Sequence, residues 1–307
     1  MSRDWKSVNN RLIQQGTLLI SLDFLDNWNK QVKKLNQDKV GRPFEYPDGL
    51  IQYSGLLHCY MGLGYRQVQG VLIAIEKKEP RMKVAVYSQL CRRFNKLETK
   101  IQPRRGTPDE DLWIAVDVTG ICVTNRGEWL RKIHRKGKID ECKGFLKVHV
   151  AVDVKTKEVV AIEVTREDVG DNSKFDDLLE GSIMNTGRKI GGVYADGAYD
   201  TYENFEKLDD LGIYPAIRID DNAITDPPPP RFPQRRRKLP ARTVYAQEQL
   251  ADRKKWKEKT GYGKRWHAEG YFSVDKRRFG QYVRARKMEN MQHEMCFRAQ
   301  LYNQLFA

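Results

Sequence analysis

The apolar residues follow two rhythms along the chain. Up to about Lys100 the rhythm is helical. Leu50 to Met61 is apolar on one face, Gly62-Leu63-Gly64-Tyr65 is a turn signal, and Arg66 to Ile75 returns to helical spacing. Glu76 to Pro80 interrupts it, and a further helix is expected from about Val84 to Leu97. Two short helices joined by a turn, the second carrying Ser88, Gln89, Arg92, Arg93 and Lys96, fit a DNA-reading helix-turn-helix. A simple helical bundle gives the same pattern, so both readings stand at this point. Gln102 to Asp109, with Pro103, Gly106 and Pro108, reads as a linker between a domain of residues 1–105 and a second of 106–307.

Beyond the linker the rhythm changes to an α/β order. Leu112-Trp113-Ile114-Ala115-Val116-Asp117 is a buried strand ending in an acid. Phe145 to Val152 and Glu158 to Val164 form a hairpin around an Asp153-to-Lys157 turn. A helix over Lys174 to Met184, a buried strand from Gly192 to Asp196, a helix over Tyr202 to Leu211 and a strand over Ile213 to Ile219 complete the series. Asp226 to Pro230 cannot continue helix or sheet. A Pro/Arg-rich basic insertion is therefore expected at about 221–258. A helix from Tyr262 to Gly280 and an amphipathic helix from Lys287 to Phe306 follow, with Met288, Met291 and Met295 spaced to pack on a core.

Composition narrows the partners. The 307 residues carry 55 Lys and Arg against 41 Asp and Glu, a formal net charge of +14. Such an excess favours a polyanion, and nucleic acid above all. From Arg231 to Arg265 there are 13 basic and 3 acidic residues, so 13 − 3 = +10 of that charge sits in one stretch. It reads as a surface that grips phosphate, with Arg235, Arg236 and Arg237 at its densest, or as a solvated insertion that orders on DNA. No run of about 18 apolar residues offers a membrane span, and the N-terminus lacks an apolar leader, so a cytoplasmic, nucleoid-associated protein with no membrane partner is expected. Five scattered cysteines without a Cys-x-x-Cys pair exclude a zinc site of that kind. No phosphate-binding Walker glycine loop is present.

The chemistry rests on acids. Asp117 and Asp196 each follow buried-strand residues, at strand ends where α/β sheets place ligands. Unpaired carboxylates in apolar surroundings are costly, and a divalent cation neutralises several at once. On a helical wheel Tyr262, Arg265, Glu269 and Lys276 lie within about 60° of one another. A stripe of that kind is either plain surface or a third wall facing the two aspartates. Three carboxylates would suit two-metal phosphodiester chemistry. Asp153 also follows an apolar run, but it opens a turn, where its carboxylate is expected to be solvated. Asp200 reads as a cap of the next helix, and His134, His267 and His293 as surface or packing residues.

Tyr262-x-x-Arg265-x-x-x-Glu269-x-x-x-x-x-x-Lys276 resembles, at every spacing, the Tyr-Arg-Glu-Lys signature of the DDE-type insertion-sequence transposases. Ala195-Asp196-Gly197-Ala198-Tyr199-Asp200 resembles that family's second-aspartate block. Lys147 to Asp153 and Val164 to Asp168 resemble its central hairpin, and Val116-Asp117 its first-aspartate strand. The resemblance covers residue 40 onward and is nearest to the insertion-sequence-four/five-like group. It implies an α/β RNase H-like catalytic core, a mixed sheet flanked by helices, behind an N-terminal all-α helix-turn-helix-like domain. It implies Asp117, Asp196 and Glu269 as catalytic ligands of two Mg²⁺ ions, for which Mn²⁺ can substitute. Tyr262, Arg265 and Lys276 would contact DNA near the scissile phosphate. The partners implied are double-stranded DNA, as inverted repeats and target, and further copies of the chain in a homodimer or higher oligomer. The Asp196-to-Glu269 interval, 269 − 196 = 73 residues, leaves little room for the inserted β-domain of some relatives. A nuclease that does not rejoin, and a regulator descended from a transposase, share these features.

Overall fold

A computed structural model describes residues 4–103, 107, 110–123, 144–223 and 240–306. Two compact units emerge: Met1–Lys100 with Arg277–Gly280 and Ala285–Phe306, and Ile101–Lys276 with Gln281–Arg284.

The first unit is helical. It holds α1 (Trp5–Ile20), α2 (Trp28–Asn36), α3 (Asp48–Cys59), α4 (Tyr65–Glu76) and α5 (Tyr87–Phe94). Helix α3 is buried along most of its length, from Leu50 and Ile51 to Leu57 and Cys59. Gly55 makes its close packing possible, because a Cβ there would lie 2.3 Å from the Phe94 ring. The connection between α4 and α5 spans residues 77–86, longer than the tight turn of a helix-turn-helix. It buries Met82 and Ala85, and the Gln69 side chain of α4 accepts the Tyr87 N–H at 2.9 Å, which fixes where α5 starts. Helix α5 is accordingly shorter than its polar pattern suggested.

The second unit is built on five strands: β1 (Leu112–Cys122), β2 (Phe145–Asp153), β3 (Val159–Arg166), β4 (Ile190–Ala195) and β5 (Tyr214–Ile217). They lie in the order β3-β2-β1-β4-β5. The β1–β2 and β2–β3 pairs are antiparallel, and the β1–β4 and β4–β5 pairs are parallel. This mixed sheet, flanked by helices, is an RNase H-like fold. The expected hairpin is β2–β3, and β1 reads as an unbroken apolar run because it is central and covered on both faces. Leu112, Ile114 and Val116 join Phe175, Leu178 and Leu208 in the core. Those partners come from α6 (Phe175–Thr186) and α7 (Tyr202–Asp210).

The basic stretch is only partly an insertion. Residues 224–239, including Arg235, Arg236 and Arg237, lie outside the described residues. Past them, α8 (Ala241–Ala251) and α9 (Arg253–Thr260) belong to the unit's body. Ala241 and Ala246 enter the core. Buried Gln249 accepts from Ile219 N at 2.9 Å and donates to Ile217 O at 3.0 Å, satisfying backbone just past β5. Trp256 is buried as well. Among the described residues between Asp196 and Glu269, β5 is the one strand.

The segment from Tyr262 starts as a 3-10 turn (Tyr262–Arg265) and becomes α10 (Trp266–Arg278). The last helix, α11 (Met288–Leu305), buries Met291 and Met295 as the spacing anticipated. It packs, however, with α3 in the first unit rather than with the residues of 106–276 that precede it in the chain. Phe297 meets Phe94 edge to face at 4.9 Å, and His293 Nε2 donates to Leu97 O at 2.8 Å. Among the described residues no helix is long and apolar enough to cross a membrane.

Candidate functional site

Sheet register brings the two aspartates together. In the parallel ladder Ala115 pairs with Tyr194. Asp117 lies two residues past the first and Asp196 two past the second, with Asp196 still extended at φ −83°. They therefore stand side by side on adjacent strands and on one face. Trp113 and Tyr194 share that face, their rings 5.5 Å apart. Gly192 is required beneath them, since a Cβ there would lie 2.3 Å from the Trp113 ring.

The same face receives the chain leading into α10. Tyr194 donates its hydroxyl to Thr260 O at 2.9 Å, and Tyr262 donates to Ala195 O at 3.0 Å. Tyr262 thus sits in the 3-10 turn, off the α-helical wheel, and is fixed by the residue before Asp196. Within α10 the buried side is Ala268, Tyr271, Phe272 and Asp275. Glu269 and Lys276 run along its edge, as the 3.6-residue period dictates, and Arg265 ends the turn that leads into it. Arg265 donates through Nη1 to Asp117 at 3.1 Å and through Nη2 to Glu269. Lys276 donates to Thr119 Oγ1 on β1 at 2.7 Å, a partner the sequence did not reveal.

Burial pushes the Asp117 carboxyl above its usual pKa; Arg265 and the Val118 N–H oppose the rise, and the Asp196 and Glu269 charges add to it. The three acids therefore share one electrostatic neighbourhood. Buried Tyr199 lies in the same field, its phenol raised by burial and by Asp117 and Asp196. Asp196 also accepts the Ala198 N–H at 2.9 Å, which holds the turn after β4. Among the described residues no three His, Cys, Asp or Glu side chains are gathered closely enough to hold a metal ion. Arg265 lies between Asp117 and Glu269 and supplies positive charge there. In kind, the donors suit a hard divalent cation, because all are carboxylate oxygens.

Other expectations change. Asp153 opens the hairpin turn and accepts the Lys155 N–H at 2.7 Å, but its carboxylate is not solvated. It is 2% exposed and paired with Arg188 Nη1 at 2.8 Å. Asp200 does not cap α7; Thr201 does, accepting the Asn204 N–H at 3.2 Å. Asp200 instead takes both Nε and Nη2 of Arg242, at 2.6 and 2.8 Å. In the helical unit Arg92 and Lys96 are exposed. Arg93 is not available as a DNA contact. Its side chain is 16% exposed, bonded to Asp48 at 2.6 Å and to Tyr46 O, and stacked over Phe44. His267 packs beside Trp266, His293 is inside the helical unit, and His134 lies outside the described residues.

Residues 109–304, more than half of the chain, match a family model described as Transposase DDE domain, and residues 13–126 match a second model of the same description. The chain belongs to the DDE-domain transposases. Among solved structures, one chain of the cryo-EM structure of the simian T-cell lymphotropic virus intasome in complex with PP2A regulatory subunit B56 gamma is 16% identical, with 55% of this chain and 53% of that chain covered and a TM-score of 0.25. The transposase-family chain spans about half the length of that neighbour, a likeness too slight to add to the topology.

Proposed function

We propose that this family member is an active transposase of the insertion-sequence-four/five-like group. In this reading it binds the terminal inverted repeats of an insertion sequence as a homodimer or higher oligomer, cleaves the ends, and joins the freed 3′-hydroxyls to target DNA. The observation that supports it best is Asp196 standing beside Asp117 on adjacent parallel strands, with Arg265 bonded to both Asp117 and Glu269. Asp117, Asp196 and Glu269 would hold Mg²⁺ or Mn²⁺. When bound, two such ions activate the attacking oxygen and stabilise the leaving one. The chain's own groups do the rest. Tyr262, braced on Ala195, and Lys276, braced on Thr119, lie along the acids and face the phosphates of the DNA end. Arg265 exchanges its carboxylate partners for phosphate, a geometry its planar fork suits equally well.

The test uses the full chain and a supercoiled plasmid carrying the DNA that flanks the gene. Asp117→Ala, Asp196→Ala and Glu269→Ala are expected to lose Mg²⁺-dependent nicking while retaining binding. Robust nicking by Glu269→Ala removes the triad. Nicking by the wild-type chain without joined products makes it a nuclease, and binding without nicking in either metal makes it a DNA-binding regulator.

A further inference from the structure

The helical unit presents one exposed helix face with a groove on each side. On α5 the apolar residues Leu90 and Phe94 are buried, and the helical period places Ser88 and Arg92 on the opposite face. The helix carries no acid. Arg92 forms the ridge, because it lines both grooves. One groove, about 900 Å³, is closed by the start of α4, where the Arg66 guanidinium stacks 4.6 Å over the Tyr87 ring. The other, about 280 Å³, is closed by the 42–46 loop, with Arg42 at its edge. Among the described residues the Arg42 guanidinium is held by Glu45, at 2.8 Å and with its side chain 82% exposed. An ion pair that exposed is weak and readily exchanged for a phosphate. Of the acids beside α5, Asp48 is paired with the inward-turned Arg93 and Glu45 with Arg42.

We propose that α5 is the element of this chain that enters the major groove of duplex DNA, with Arg92 reaching base edges and Arg66 and Arg42 gripping phosphates on the two sides. The proposal rests on the DNA-binding part of the function above and assigns its surface. The dimensions agree: a helix with its side chains is about 10–12 Å across, and the major groove is about 12 Å wide. Basic groups on both flanks of one exposed helix match the two phosphate strands that border a groove. Arg93, the obvious sequence neighbour of Arg92, has no part in it.

The experiment selects a preferred duplex for the full-length protein from a random-sequence pool. It then measures binding of that duplex, an unrelated duplex and a single strand by fluorescence anisotropy over a range of salt, with circular dichroism as the folding control. Arg92→Ala is expected to lose roughly 5- to 150-fold in preference for the selected duplex. Arg66→Ala and Arg42→Ala are expected to weaken both duplexes alike, each lowering the salt dependence by about one ion, while Arg66→Lys and Arg42→Lys keep that dependence. Unchanged preference in Arg92→Ala, or unchanged affinity and salt dependence in both flank variants, overturns this surface while leaving DNA binding intact. Preference for the single strand also overturns it. A wild-type chain that binds no duplex overturns the DNA-binding reading itself, and this surface with it.

Discussion

Arg188 reaches Asp153 with a 2.8 Å ion pair while also donating to Glu110 O at 2.9 Å, and its side chain is 5% exposed. A charge so placed cannot lose its partner cheaply, because the survivor stays buried. Asp153→Asn is therefore expected to lower unfolding stability by about 3 kcal/mol. Nicking per folded molecule should be retained, since Asp117 and not Asp153 faces Asp196. Urea denaturation and plasmid nicking check both halves, and an unchanged urea midpoint would refute the first. Asp117 and Asp153 look alike in sequence, each closing an apolar run; Asp117 and Asp196 were singled out as strand-end acids, and Glu269 by its spacing from Tyr262, Arg265 and Lys276. The partner of Asp153 was not legible, because Arg188 sits 35 residues away and nothing local marks it. Arg93 was misread for the same reason. An arginine in a polar helix looks like a DNA contact until Asp48 and Phe44 are seen to hold it.

At the scale of elements, the sheet was written plainly. Alternating or unbroken apolar runs bounded by turn residues located β1 to β5, and the parallel register then placed Asp196 beside Asp117. Helices α8 and α9 were hidden by composition, since their Lys and Arg residues continue the basic run while Gln249 and Trp256, which anchor them, are too few to set a rhythm. The β2–β3 hairpin carries a testable device. His149 is fully buried against Thr165 Oγ1 at 2.9 Å, and burial pushes its pKa down to about 4. In the unfolded chain it titrates near 6.5. As pH falls through 6.5 the unfolded state takes a proton that the folded state refuses, so stability is lost progressively down to about pH 4. Between pH 7 and pH 5 the loss from this group should be about 2 kcal/mol. Urea midpoints at the two pH values measure it. His149→Gln should flatten the dependence by that amount, and an equally steep dependence in the variant would remove His149 as its source.

At the scale of the whole molecule, the helical unit is assembled from distant parts of the chain. Phe297 and His293 of α11 pack on Phe94, and a buried Glu294–Arg298 pair ties α11 to the residues before it, with Ala285 N donating to Glu294 at 2.9 Å. No local pattern could show this, because an amphipathic helix declares that it has a partner and not which one. A fragment of residues 1–100 alone is expected to be largely unfolded. Adding a peptide of residues 277–306 should restore helical signal and resistance to limited proteolysis. A stably folded fragment without the peptide would refute it.

That split has a consequence in time. Synthesis is vectorial, and domains generally fold as they emerge. The α11 helix begins 288 − 94 = 194 residues after α5 ends. At about 5–20 residues per second the front of the helical unit waits roughly 10–40 s for its missing side. All five strands and the three acids are made in that interval. On the proposed function, a polypeptide interrupted before α11 is therefore expected not to dock on a DNA end and block it for finished molecules. Ribosome-bound chains of graded length, probed by protease, should show the 48–94 region becoming protected only once residue 305 has cleared the exit tunnel. Protection at a length of 200 residues would contradict this order of events.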